Sequence, residues 1–303
     1  MIQRISRWFD SDVGHSFKSS PVAMFAAVIA LICVICAVFA GWVSPHDPFD
    51  LAKLELGDAR LPPAWTELGS SKYLLGTDDQ GRDILSAVIH GARISLVVGL
   101  VSVILSVIVG VVFGLLAGFW GGWLDSLLMR ICDVMLSFPP ILVALLIAGV
   151  GRALFPNAHT SLAFFVLIVS ISLTGWVQYA RTVRGSTLVE RSKEYVQAAR
   201  VTGVSPWRIM VRHVLPNVTG PVLVLATIQV ATAIITEATL SFLGVGVPPT
   251  SPSLGTLIRV GNDYLFSGEW WITVFPGLML VMIALSVNLL GDWLRDALNP
   301  RLR

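Results

Sequence analysis

Two carboxylates, Asp133 and Glu237, stand inside otherwise apolar stretches. A charge in such surroundings is costly and marks a pathway or a proton relay, so a proton-coupled secondary transporter is one chemistry they could run. Glu237 falls toward one end of its stretch and Asp133 toward the opposite end of another, which argues against one shared site. Hydrogen bonding between helices is the plainer role, preferred for Asp133 and left open for Glu237. Three more acids, Asp78, Asp79 and Asp83, crowd into Leu75–Ile84, LGTDDQGRDI. Their spacing fits no calcium loop, and no His or Glu stands close by. Turn chemistry is the alternative: Gly76 and Gly81 permit tight bends, and Asp78 and Asp83 can accept backbone hydrogen bonds or cap a following helix. Cys33 and Cys36 have the C-x-x-C spacing, yet the neighbouring Leu, Ile and Val supply no polar partner, and with Cys132 they read as small core residues. His15, His46, His90, His159 and His213 are scattered through different segments. The chain holds no G-x-x-x-x-G-K-[ST], H-E-x-x-H or G-x-S-x-G. The expectation is a protein that is not an enzyme and has no catalytic residue, metal or cofactor of its own.

The elements that must position these groups follow from composition. At 55% hydrophobic and 13% charged, the chain is far from a soluble domain, which carries about a quarter charged residues. It reads as an all-α polytopic membrane protein, in contact with membrane lipid. A net charge of +2 gives no argument for nucleic acid. Six spans are expected: 22–43, 94–118, 127–150, 162–180, 218–243 and 273–290. The first, 22 residues without a charge, would extend about 33 Å, enough to cross a bilayer core of about 30 Å and too long for a signal peptide. In the third, Pro139-Pro140 should impose a bend. Gly110, Gly114 and Gly118 recur every four residues and let helices approach closely. Between the spans lie a terminal segment 1–21, a polar segment 44–93, loops 181–217 and 244–271, and a tail 293–303. Fourteen of the 21 lysines and arginines fall on one side if the N-terminus is inside, which makes both termini and the 181–217 loop cytoplasmic. On the fifth span Gln229, Thr232 and Thr236 share a face with Glu237 beside them, a stripe that must meet protein or water.

Within the 181–217 loop, Glu194–Asn217 reads as two short helices. Tyr195, Ala198, Ala199 and Thr202 share a low-relief face opposite Lys193, Gln197 and Arg200, which could lie in a groove. Gly203 stops the first helix. Ser205 is placed to cap the second and Pro206 to start it, Trp207, Met210, Val211 and Val214 recur at helical spacing, with Trp207 and Val211 as anchors, and Pro216 is expected to close it. A DNA-binding helix pair is disfavoured by the flanking spans, which would hold it away from a duplex.

The pattern Ala198-Ala199, three residues, Gly203, then His213-x-Leu215-Pro216 resembles the "EAA" loop of the membrane subunits of bacterial ABC importers. Gln197 stands where that family has its name-giving Glu, and His213 where Ile is usual. The run 75–84 with Gly91-Ala92-Arg93, and the stretch 237–256, resemble the C-type permease subunit of the dipeptide, oligopeptide and nickel branch; Pro248 and Leu254 depart from it, Leu254 standing for Trp. The resemblance implies a type I ABC importer permease fold with a cytoplasmic coupling-helix loop, in a bacterial inner membrane. It implies coupling to an ATPase through Glu194, Tyr195, Gln197, Ala198, Ala199, Arg200, Gly203, Trp207, Val211, Leu215 and Pro216, and an outer motif of Gly76, Thr77, Asp78, Gly81, Arg82 and Asp83. Its implied partners are a homologous B-type permease, two ABC ATPase subunits that bind ATP and Mg, and a periplasmic or lipid-anchored solute-binding protein. Dipeptides, longer peptides, nickel complexes and glutathione are all cargoes of the branch.

Overall fold

The computed structural model describes residues 12–50, 54, 56–154 and 160–297. Arg4, Arg7, His159, Arg301 and Arg303, counted in the sequence reading, lie outside the described residues. Among the described residues the chain is helical, and the one β feature is an isolated antiparallel bridge between Thr77 and Asp83. The helices are α1 Asp12–Lys18, α2 Pro21–Val38, α3 Ala40–Val43, α4 Ile84–Trp120, α5 Gly122–Leu136, α6 Pro140–Leu154, α7 Thr160–Glu190, α8 Glu194–Val201, α9 Pro206–Ile209, α10 Leu215–Phe242, α11 Leu254–Asn262 and α12 Trp271–Ala297.

The spine is α4. Its 37 residues reach about 55 Å, well beyond a bilayer core of about 30 Å. It begins ten residues before the expected span because Asp83 caps it: the carboxylate accepts from the Ser86 amide at 3.0 Å and the Ser86 hydroxyl at 2.5 Å. Helix α7 lies along α4 where the glycines recur. A methyl group on Gly114 would meet the Ala180 carbonyl at 2.6 Å, and one on Gly118 the Thr187 Cβ at 2.7 Å, so the absent side chains allow the helices to touch. Helix α10 crosses both, and α12 packs against α10, α11 and α2.

The ends of α4 define two ends of the bundle. At its start, Gly91 faces Ser253–Leu257. At its finish, Arg191 donates to the Gly118 carbonyl at 2.8 Å and Trp120 lies 6.1 Å from Trp207. Phe17 packs edge-on against Trp293 at 5.0 Å, so α1 and the close of α12 share an end.

Among the described residues five helices are long and apolar enough to cross a membrane, or six if α5 and α6 are counted together as one span. They meet at 90°. The bend expected at Pro139-Pro140 within 127–150 is thus a sharp break, because the proline pair removes donors and α6 restarts on Pro140. Asp133 lies on α5, before the break, and pairs at 2.6 Å with Arg181 of α7, a bond between helices. The expected loop 181–217 also shrinks, since α7 continues to Glu190 and α10 starts at Leu215.

A hinged loop, a polar cleft and a buried knot

At one end, α7 passes through a short turn into α8, and Gly203 then reverses the chain with φ of +78°, a conformation that glycine adopts without strain. The second arm does not end at Pro216. Helix α9 runs into a π-helical turn, Met210–Val214, and on into α10 without a break. Within that wide turn the Leu215 amide reaches back to the Met210 carbonyl, and the missing donor of Pro216 is absorbed at the first turn of α10. The His213 carbonyl accepts from the Asn217 side-chain Nδ2 at 2.7 Å. Ser205 sits at the cap position but its side chain makes no capping bond.

Exposure along this loop divides the expected residues. Val196, Ala199, Ile209, Met210 and Val214 are buried with Leu115, Phe119 and Val183. Glu194, Tyr195, Gln197, Ala198, Arg200, Gly203, Trp207, Val211 and Pro216 face outward. The small face read from the sequence is thus split, Ala198 out and Ala199 in. Trp207 and Val211, expected as anchors, are 60% and 43% exposed, and Ile209 with Met210 and Val214 hold the arm instead. The physical reason is the burial of Ile209: Trp207 and Val211, two residues to either side, stand about 200° round a helix from it and so point away from the core. Sequence periodicity also missed Val201, 89% exposed at the tip of α8. Leu215 is half-buried against the core.

A strut joins the three helices that meet here. The Tyr195 hydroxyl donates to Glu190 at 2.5 Å and accepts from Asn217 at 3.0 Å, while Lys193 pairs with Glu190 at 2.6 Å. Burial, with the Glu190 carboxylate beside it, raises the Tyr195 phenol above its ordinary range, so the hydroxyl keeps the proton it donates. Glu190 ends α7, Tyr195 begins α8 and Asn217 begins α10. No sequence pattern singled out Glu190, which stands in the polar run Glu190–Glu194, whereas Asn217 stands out beside Leu215, Pro216 and Val218.

Midway along the bundle, Gln229, Thr232 and Thr236 line a cleft of about 100 Å³ with Thr174, Gln178 and Tyr179 of α7. Gln229 donates to Gln178 at 3.0 Å. Gln178 and Thr174 are four residues apart on an apolar helix, a signal the sequence reading passed over. Glu237 is not in the cleft. It is fully buried on the adjoining face, accepting from Ser95 at 2.6 Å and Ser241 at 2.7 Å. Ser95 in turn accepts the Leu254 amide at 3.4 Å and Ser241 the Val247 amide at 3.2 Å. Glu237 is a fastening between α4, α10 and the start of α11.

The opposite end holds the LGTDDQGRDI run as a knot. Asp78 is 1% and Arg82 4% exposed, and they pair at 2.6 Å. Asp78 also accepts the Gln80 and Arg82 amides, both at 2.9 Å. Gly76 and Gly81 take φ of +84° and +78°. The Thr77 hydroxyl donates to the Asp58 carbonyl, and its own carbonyl accepts from Trp271 at 3.0 Å. Arg82 reaches the Pro249 carbonyl at 3.4 Å. Burial and the neighbouring Asp78 charge push the Asp79 carboxyl above the usual range. Arg152 of α6 completes this end by donating to the Gly244 and Gly246 carbonyls. No group of three or more metal-ligating side chains occurs among the described residues.

This architecture is similar to a solved structure of the MetNI methionine ABC transporter in an inward-facing conformation. The TM-score is 0.55 at 19% identity, over 71% of this chain and 98% of that one; at that identity the likeness concerns the fold, that of a type I ABC importer permease. Sequence relatives are nearer. The di/tripeptide transport system permease protein DppC of Pseudomonas aeruginosa is 40% identical over 95% of this chain and 91% of its own length. The dipeptide transport system permease protein DppC of Escherichia coli K12 is 41% identical over 95% and 92%. Residues 6–63 match the N-terminal TM domain of oligopeptide transport permease C. With residues 110–303 matching as well, the chain belongs to the family of binding-protein-dependent transport system inner membrane components.

Proposed function

We propose that this chain is the C-type permease subunit of an ATP-driven importer of di- or oligopeptides in a bacterial inner membrane, with both termini and the hinged loop on the cytoplasmic side. The observation that carries the reading is the outward face of α8 and α9. Val201 and Trp207, beside Ala198, present apolar surface next to Arg200 and Arg208 at the tip of an arm continuous with α10. Exposed apolar surface with a polar rim marks a protein contact.

A separate ATPase pair, holding ATP and Mg, would dock on this arm. When the pair closes, the loop moves as a unit, since Val196, Ala199 and Ile209 root it in the core. The strut then passes the movement to two helices at once, because Tyr195 is bonded to the end of α7 and to the start of α10. Those helices carry Gln178 on one side and Gln229 on the other, so their relative tilt changes the cleft. A homologous B-type permease would supply the facing half of the path, and a solute-binding protein would deliver cargo at the knotted end. No covalent chemistry is asked of this subunit.

Uptake of a radiolabelled dipeptide into vesicles holding the whole complex tests this. Uptake that needs ATP and the binding protein is expected, with crosslinks from Val201→Cys to a nucleotide-hydrolysing subunit. Uptake by this chain alone, or uptake abolished by collapsing the proton gradient without any need for ATP, would reject it.

A further inference from the structure

The cleft between α7 and α10 has a chemistry that does not follow from a coupling role. Among the described residues no charged side chain lines it. Thr174, Thr232 and Thr236 each donate their hydroxyl proton to a carbonyl of their own helix, to Ile171 at 2.9 Å, Ile228 at 3.4 Å and Thr232 at 2.8 Å. Each oxygen is thereby left as an acceptor. The donors are the amides of Gln178 and Gln229 and the hydroxyl of Tyr179, which is buried and has no hydrogen-bond partner among the described residues. Acceptors and donors without a net charge complement one group in particular, the peptide bond.

The Gln178–Gln229 contact is itself an amide-to-amide hydrogen bond at 3.0 Å. We propose that the cleft is a transient station for the backbone amide of a short peptide, and that this amide displaces one glutamine from the other as it passes. Because like replaces like, little free energy is gained or lost, and the solute is neither excluded nor trapped. Passage requires that balance, since a site must be favourable enough to enter and weak enough to leave. With no counter-ion in the lining, the station does not sort peptides by side-chain charge. The proposal rests on the peptide-import reading, and adds the group that is recognised and the residues that recognise it.

The test uses the assembled complex in vesicles, with Cys33, Cys36 and Cys132 of this chain replaced by alanine. Thr232→Cys is expected to react with a membrane-impermeant thiol reagent, and dialanine at a concentration that occupies roughly two-thirds of the clefts to slow that reaction by about threefold. Leu223→Cys, on another face of α10, is expected to show no such protection. In a second arm, Gln229→Glu is expected to raise the ratio of uptake of a lysine-containing to an aspartate-containing dipeptide by about fivefold or more, since a charge now faces the path. An unreactive Thr232→Cys in a complex that still imports dialanine would overturn the proposal, placing the stripe against a partner subunit. Unprotected labelling, or an unchanged ratio, would overturn it too. A complex without these substitutions that shows no ATP-dependent dipeptide uptake would instead sink the import reading.

Discussion

The two ends of the bundle handle polar residues in opposite ways. At the knotted end, Thr77, Asp78, Arg82, Asp83 and Glu237 are all buried and hydrogen-bonded, and Thr77, Arg82 and Glu237 reach segments far away in the chain. At the hinged end, Glu194, Gln197, Arg200 and Arg208 lie in the open, and the arm is held by apolar packing of Val196, Ala199 and Ile209 together with the Tyr195 strut. Buried polar groups that are fully paired fix geometry, whereas exposed ones leave a surface free to be recognised. The proposed import role needs both, a fixed scaffold at one end and, at the other, an arm that another protein can move. The density of charged and polar residues in a motif therefore says little about where work is done; burial separates the two cases.

Breaking the knot should give the largest effect. Asp78→Ala leaves Arg82 without its partner at 4% exposure, and should destabilise the protein by about 3–5 kcal/mol, read as lost thermal stability in detergent and low membrane abundance. A variant of normal stability would show that the knot is not structural. Asp83→Ala removes the cap of α4 and should cost about 1–2 kcal/mol by the same measurement.

The hinged end should respond in coupling and not in abundance. Gly203→Val forces a β-branched residue to φ of +78°, at a cost on the order of 1–2 kcal/mol. Since a Cβ there meets nothing within 4 Å, the effect comes from backbone strain alone. Uptake should fall while ATP hydrolysis and insertion persist, and Gly203→Asn, which tolerates the left-handed region, should keep more uptake. Equal uptake in both variants and the parent would count against the hinge. Tyr195→Phe removes both bonds of the strut, worth about 1–2 kcal/mol; uptake per ATP hydrolysed should drop several-fold at unchanged abundance. The smallest effect belongs to Asp133→Asn. It breaks a pair that is about half exposed on each side, so stability should shift by less than about 1 kcal/mol and uptake should hold. Loss of uptake in this variant would reopen a role for that carboxylate.

Composition, the lengths of apolar stretches and the glycine repeat on α4 settled the class of molecule, because a bilayer imposes length and backbone satisfaction on any chain that crosses it. Turn chemistry in LGTDDQGRDI was likewise legible, since glycine and aspartate act on backbone atoms a few residues away. Three-dimensional packing alone decided which polar group does what. Glu237 and Thr236 are neighbours in sequence, yet 100° of helical rotation puts one in a sealed fastening and the other in an open cleft. Burial of Ile209 turned Trp207 and Val211 outward, the π turn at Met210–Val214 carried the arm through Pro216, and no local rule marks where a helix will widen. Glu190, Tyr195 and Asn217 come together from three helices, and Gln178 meets Gln229 across 51 residues of chain. Spacing along a chain reports only neighbours within one element, whereas a site between elements is fixed by how their surfaces fit.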